Sequence, residues 1–212
     1  MSVIRLALAL SLGPLLASCM TVQSGAKPSS STYQFASFDI DVPAGGNWGV
    51  SETDYENEKI AFSTASYALM ASRVTTMTSL AVAKVPVPPS MVMRSEEEVF
   101  TTFCASGEKA FAKETASHGI ELKDVRTGTV EVDGKRLRTV RFEGVVGNWF
   151  IGGQGGETHV WAWFPPDYES RQVFYAFILS TQTEKGIYQE SANLKPLQSF
   201  VAGFRYHGRT GP

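Results

Sequence analysis

Cysteine is scarce in this chain: Cys19 and Cys104 are the two in 212 residues. A small disulfide scaffold is therefore excluded, since such folds need several bridges to stand in for a core. Surplus charge is missing too. There are 19 basic and 21 acidic residues, for a net charge of -2, whereas recognition of nucleic acid or anionic lipid needs a clustered basic excess. The longest apolar run, residues 6–16, has 11 residues and is too short for a permanent membrane-spanning helix, which takes about 20. Histidine is rare: His118, His159 and His207 share no local ligand spacing, and His-Glu-x-x-His is absent. Neither Gly-x-Ser-x-Gly nor an assembled Ser-x-x-Lys set is present, and no repeat of 20 to 50 residues is visible. What remains is ordinary globular composition, 43% hydrophobic and 19% charged, in a length that suits one well-buried domain.

At the N-terminus, Arg5 supplies a single positive charge ahead of the apolar run, which has the length of a signal-peptide core. The run ends in Leu16-Ala17-Ser18-Cys19. This resembles the bacterial lipobox: an aliphatic residue, two small residues that fit an extended segment into a peptidase cleft, then cysteine. The resemblance covers those four residues. It implies cleavage before Cys19 and a thioether-linked diacylglycerol plus an N-acyl chain on that residue. Burial of each methylene contributes about 0.8 kcal/mol, so two or three chains hold a protein on a membrane where one does not. Met20 stands where an Asp would retain an enterobacterial lipoprotein in the inner membrane, so the resemblance implies an outer-membrane anchor facing the periplasm in a didermic host. The other reading of these residues is an ordinary secretory signal cleaved near Ala17-Ser18. If Cys19 is lipidated, Cys104 has no disulfide partner within the chain. The expected organisation is a signal over residues 1–18, a lipidated N-terminus and flexible Ser/Gly/Pro-rich spacer over 19–32, one domain over 33–207, and a tail over 208–212.

Within the domain, β-rich stretches at 33–42, 48–52, 59–65 and 75–85 are bounded by turn residues. Ser95 and Glu98 have capping-box spacing, and Phe100, Phe103, Cys104, Gly107 and Phe111 recur at helical spacing as far as Gly119. Strands at 125–132 and 135–142 flank Asp133-Gly134, a dipeptide typical of a two-residue hairpin turn. A second pair, 158–164 and 172–180, follows. The chain closes with a helix over about 193–204, with Leu194, Leu197, Val201 and Phe204 on one stripe. The expected class is α+β, an antiparallel sheet flanked by helices. With Phe38-Asp39-Ile40-Asp41-Val42-Pro43 opening the domain, a long mid-chain helix, and Leu197-Gln198-Ser199-Phe200 in the closing one, the layout resembles the PsbP-like or Mog1-like α/β/α sandwich over about residues 33–206. That resemblance implies binding or assembly rather than catalysis, and a fold does not itself transfer a function.

The conspicuous local features are weak chemically. Gly152-Gly153-Gln154-Gly155-Gly156 lacks the Gly-Lys-Ser/Thr ending and the helix that a phosphate loop needs, and reads as a flexible connection. After it, His159, Trp161 and Trp163 alternate and share one strand face, with Val160, Ala162 and Phe164 on the other. Two readings stay open: a core strand buried on both sides, or a Trp platform for a lipid, glycan or partner protein, with Gly153 and Gly155 supplying mobility. Asp54, Glu56 and Glu58 have calcium-loop spacing, but Lys59 and Ala65 occupy the positions where such a loop needs Gly and Glu, so a solvated acidic loop is expected. Cys104 reads as a core thiol. Arg136 and Arg138 share a face near Arg141 and read as a solvated hairpin surface. No metal, cofactor or nucleic acid is implied. The expected function is a membrane-anchored, non-catalytic envelope lipoprotein that binds a partner protein or supports assembly, the alternative being a binder of a small apolar ligand, lipid or glycan.

Overall fold

The protein is described by a computed structural model over residues 25–44, 47–68, 73–116, 120–146, 154–168, 172–184 and 195–208. Cys19, Gly153 and His118 lie outside these residues. Strands β1 (Thr32–Gln34), β2 (Phe38–Asp41), β3 (Gly49–Asp54), β4 (Lys59–Ala68) and β5 (Arg73–Pro86) precede helix α1 (Glu96–Ala116). Then come β6 (Ile120–Val132), β7 (Lys135–Val146), β8 (Gln154–Trp163), β9 (Val173–Glu184), helix α2 (Lys195–Ala202) and β10 (Phe204–Tyr206). Seven strands form one antiparallel sheet in the order β3-β4-β5-β9-β8-β7-β6, and three short ones form a second in the order β1-β2-β10. Among the described residues no helix is long and apolar enough to cross a membrane.

Alternation along the central strands makes both faces of the large sheet apolar. On one face Ala81, Ala83, Val85, Val160, Phe174 and Ile178 pack against Val99, Phe100, Phe103 and Cys104 of α1. The helix begins where expected: Ser95 N–H donates to Glu98 Oε2 at 3.0 Å and Glu98 N–H returns to Ser95 Oγ at 3.3 Å, a reciprocal capping box. On the other face Leu80, Val82, Trp161, Tyr175 and Phe177 meet Phe38 and Ile40 of β2, Leu197 and Phe200 of α2, and Phe204 of β10.

This corrects the expected sandwich. One face is covered by a helix, but the other is covered by a small sheet together with a two-turn helix, so the domain is mainly antiparallel β with some helix. The closing helix stops at Ala202 because the chain turns at Gly203, whose carbonyl accepts from Asp41 N–H at 3.3 Å. Phe204, expected on the helical stripe, therefore lies on a strand paired with Ile40. The stretch 33–42 is likewise two strands, broken where Phe35 N–H bonds Phe38 O at 2.8 Å. The Asp133-Gly134 turn is as expected: both residues have positive φ, 51° and 69°, and Val132 pairs with Lys135.

The spacer also differs from expectation over residues 25–32, which lie against the sheet edge. Ala26 N–H donates to Val50 O at 2.9 Å and Val50 N–H to Ala26 O at 2.7 Å, a single antiparallel bridge on β3. Ser31 O accepts from Val42 N–H at 2.9 Å, and Ser29 N–H donates to Tyr33 Oη at 3.2 Å. Two glycines permit this approach: a Cβ on Gly49 would stand 2.8 Å from Gly25 Cα, and one on Gly25 would stand 2.6 Å from Gly49 C. Gly49→Ala should therefore displace the N-terminal segment and speed amide exchange at Ala26 and Val50, at an overpacking cost of about 1–3 kcal/mol. Unchanged exchange at those two amides would show that the bridge does not need the missing Cβ.

Candidate functional site: a cleft at the sheet edge

The Trp face of β8 is core. Trp161 is buried and Trp163 half-buried, and the Trp163 ring sits 5.4 Å from Tyr206, 5.7 Å from Phe204 and 6.0 Å from Tyr175 by centroid. β10 thus closes over the surface proposed as a platform. His159, on the same face by alternation, is also buried. Gln154, Gly155 and Gly156 belong to β8, paired with Gly144 and Val145 on one side and with Gln182, Thr183 and Glu184 on the other, rather than to a flexible connection.

The acidic loop separates into three roles. Asp54 accepts from Asn57 N–H at 3.0 Å and from its Nδ2 at 2.7 Å, closing the β3–β4 turn, and these bonds hold its carboxyl below the usual range. Glu56 is exposed. Glu58 is not solvated, contrary to expectation: its side chain is 7% accessible. Its Oε2 accepts from Ser37 N–H at 2.7 Å and Ser37 Oγ at 2.5 Å, its Oε1 pairs with Lys84, and Tyr175 Oη donates to Ser37 Oγ at 2.8 Å. Burial opposes ionisation of Glu58, but the Lys84 and Ser37 bonds outweigh it and keep the carboxyl below its ordinary value. A depressed carboxyl that already accepts hydrogen bonds from both Ser37 groups is the reverse of a general base poised near neutrality. The chain of bonds ties the β1–β2 turn, the β3–β4 turn, β5 and β9 together.

The remaining candidates are held in pairs. Arg138 turns from the hairpin surface to the start of α1, paired with Glu97 and 4.0 Å from Glu96, so this cation is committed to the fold rather than solvated. His207 Nε2 lies 3.2 Å from Asp39 Oδ2, and Arg205 grips Asp41 through two bonds of 2.6 and 2.7 Å. Among the described residues no three His, Cys, Asp or Glu side chains form a metal-holding group.

What the sequence did not single out is a cleft of about 910 Å³ beside the N-terminal segment. Its walls are Lys27 and Ser29 to Ser31 on one side, Asn47 and Trp48 on a second, and Ser63, Thr64 and Ala65 of β4 on the third. It arises because β3 starts opposite Ser63 while β4 runs on to Ala68. Asn47 and Trp48 continue the chain of β3 without continuing its ladder. Among the described residues the lining contains hydroxyls, one amide, one aromatic residue and one cation, with no carboxylate. From Ser63 a row of buried hydroxyls runs inward in register through Ser79, Ser180 and Thr158, the last two 3.2 Å apart. Gly45-Gly46-Asn47-Trp48-Gly49, an aromatic residue set among glycines, is the sequence signal that could have marked this corner.

No family model matches the chain, and no curated protein matches it. Among solved structures it is similar to the solution structure of the cyanobacterial PsbP protein CyanoP from Synechocystis sp. PCC 6803, with 13% identity and a TM-score of 0.42, covering 88% of this chain and 99% of that one. At this level the similarity assigns no role to any residue.

Proposed function

We propose that the chain is a non-catalytic envelope lipoprotein, anchored through Cys19 in the outer membrane on the periplasmic side, that binds a partner through the edge cleft. The observation that carries this reading is where the N-terminal segment docks. Gly25, whose neighbour Ala26 bridges to β3, lines the cleft and lies six residues after Cys19. Six extended residues reach at most about 20 Å, so an anchor at Cys19 keeps the cleft close to the bilayer. Among the described residues, the carboxyls of Asp41 and Glu58 are committed to Arg205 and to Ser37 and Lys84, which supports binding over catalysis.

Palmitate labelling of the whole protein should be lost in Cys19→Ala, with release of the chain from the membrane fraction. Retained labelling would refute the anchor. Crosslinking of the lipidated protein at native abundance should return one defined partner, and a partner-free monomer would sink the binding role. The second reading is a small-ligand binder, for a lipid or glycan. Such a ligand would sit in the edge cleft beside Asn47 and Ser63 to Ala65 rather than on β8, where Trp161 is buried and β10 lies against Trp163.

A further inference from the structure

We infer that the edge cleft is a strand-addition site, taking an extended, neutral-to-acidic peptide segment of a membrane-proximal protein onto the open side of β4. The inference rests on the partner-binding reading and specifies how that partner is held. Residues 64–68 of β4 pair with β5 on one side. On the other side the ladder to β3 ends at Ser63, and among the described residues no strand pairs with them there. In an antiparallel strand every second residue directs its N–H and C=O to a given side, so this stretch presents a short template of backbone donors and acceptors. Such edges either are blunted by charge, proline or a cover, or are used for augmentation. Here the edge opens into the cleft, where Thr64 and Ala65 form a wall and neither a charge nor a proline lies within 64–68.

Three features define the occupant. First, this corner already binds extended backbone: the chain's own Ala26 is bridged to Val50 on the adjoining strand through two hydrogen bonds. A second extended segment would continue the same mode of recognition. Second, among the described residues the lining carries one cation, the exposed Lys27, and no carboxylate, so it complements a neutral or acidic segment and disfavours a basic one. Third, the six residues back to Cys19 confine the cleft to within about 20 Å of the bilayer, which selects partners that sit at the membrane surface. Ser29 to Ser31 and Asn47 supply side-chain donors and acceptors around the backbone ladder, while Trp48 supplies an apolar wall.

The test uses the mature chain with Cys19→Ser and, as probe, a displayed library of nine-residue peptides, with the selected peptides then synthesised. Bound peptides should slow amide exchange within residues 64–68. Methylation of alternate peptide nitrogens should weaken binding at least tenfold in one of the two registers and leave the other nearly intact. Lys27→Glu, an exposed position that leaves the core untouched, should weaken acidic peptides by about threefold or more. Peptides that protect the other sheet edge, residues 120–132, would overturn the cleft assignment while leaving partner binding standing. Protection of residues 64–68 by phosphatidylglycerol vesicles, with no peptide selected, would replace the peptide with a lipid. Selection of basic peptides unaffected by Lys27→Glu would overturn the charge argument.

Discussion

Phe204→Ala should destabilise the domain by about 3–5 kcal/mol, the range for truncating a fully buried aromatic side chain. The ring is 1% accessible and stands 5.1 Å from Phe38, 5.0 Å from Tyr175, 5.1 Å from Phe177 and 5.7 Å from Trp163 by centroid. Together with Phe38 and Ile40 of β2 it pins the small sheet to the large one. β10 is three residues long, so Phe204 is the main hold of that strand on the large sheet. A domain of this size loses roughly 2–4 °C of Tm per kcal/mol, which predicts a fall of about 6–20 °C in a thermal melt. Tryptophan emission should shift to the red, because Trp161 and Trp163 lose their cover. A Tm within about 2 °C of the wild type would mean that β10 does not seal this face, and the Trp platform would return as a ligand surface.

How far the sequence shows the fold depends on how local each cause is. The capping box of Ser95 and Glu98, the Asp133-Gly134 turn and the alternation of β8 are decided within a few residues, and all three are visible in the chain. The layer over the Trp face is not. Phe204 has helical spacing with Leu197 and Val201, and it is a strand residue only because Ile40, far earlier in the chain, pairs with it. Glu58 looks like part of a solvated acidic run because its neighbours are polar, yet Ser37 lies 21 residues before it and Lys84 lies 26 after it. The cleft is the least legible feature of all. It exists because one strand outruns its neighbour and two glycines let the N-terminal segment approach, and neither register nor close approach leaves a periodic trace. Composition did mark the region 25–32 as polar and rich in Ser, but backbone hydrogen bonds, which composition does not report, place it on the sheet edge.

Glu58→Ala should cost about 2–4 kcal/mol near neutral pH, because it strands the buried N–H and hydroxyl of Ser37 and releases Lys84 from its ion pair. A backbone cost, equal in the wild type and in Glu58→Ala, sets a glycine variant apart. Glu58 has φ of 49°, a left-handed conformation that costs a non-glycine residue about 1–2 kcal/mol, so Glu58→Gly should recover roughly 1 kcal/mol relative to Glu58→Ala while losing the same network. The two variants therefore separate strain from hydrogen bonding. The isosteric Glu58→Gln tests the charge. The folded carboxyl titrates below its ordinary value, so its contribution is complete above the unfolded pKa of about 4.3 and is lost as pH falls through the lower folded value. Asp41, also depressed, by the Arg205 hydrogen bonds, changes in the same direction in every variant and cancels from the comparison. Urea midpoints at about pH 7 should then place Glu58→Gln well below the wild type, and the gap should narrow as pH falls below about 4, where the unfolded wild-type carboxyl takes up a proton that the folded one resists. A gap that stays constant over that interval would assign the Ser37–Glu58–Lys84 network to shape and hydrogen bonding alone, with no share for the buried charge.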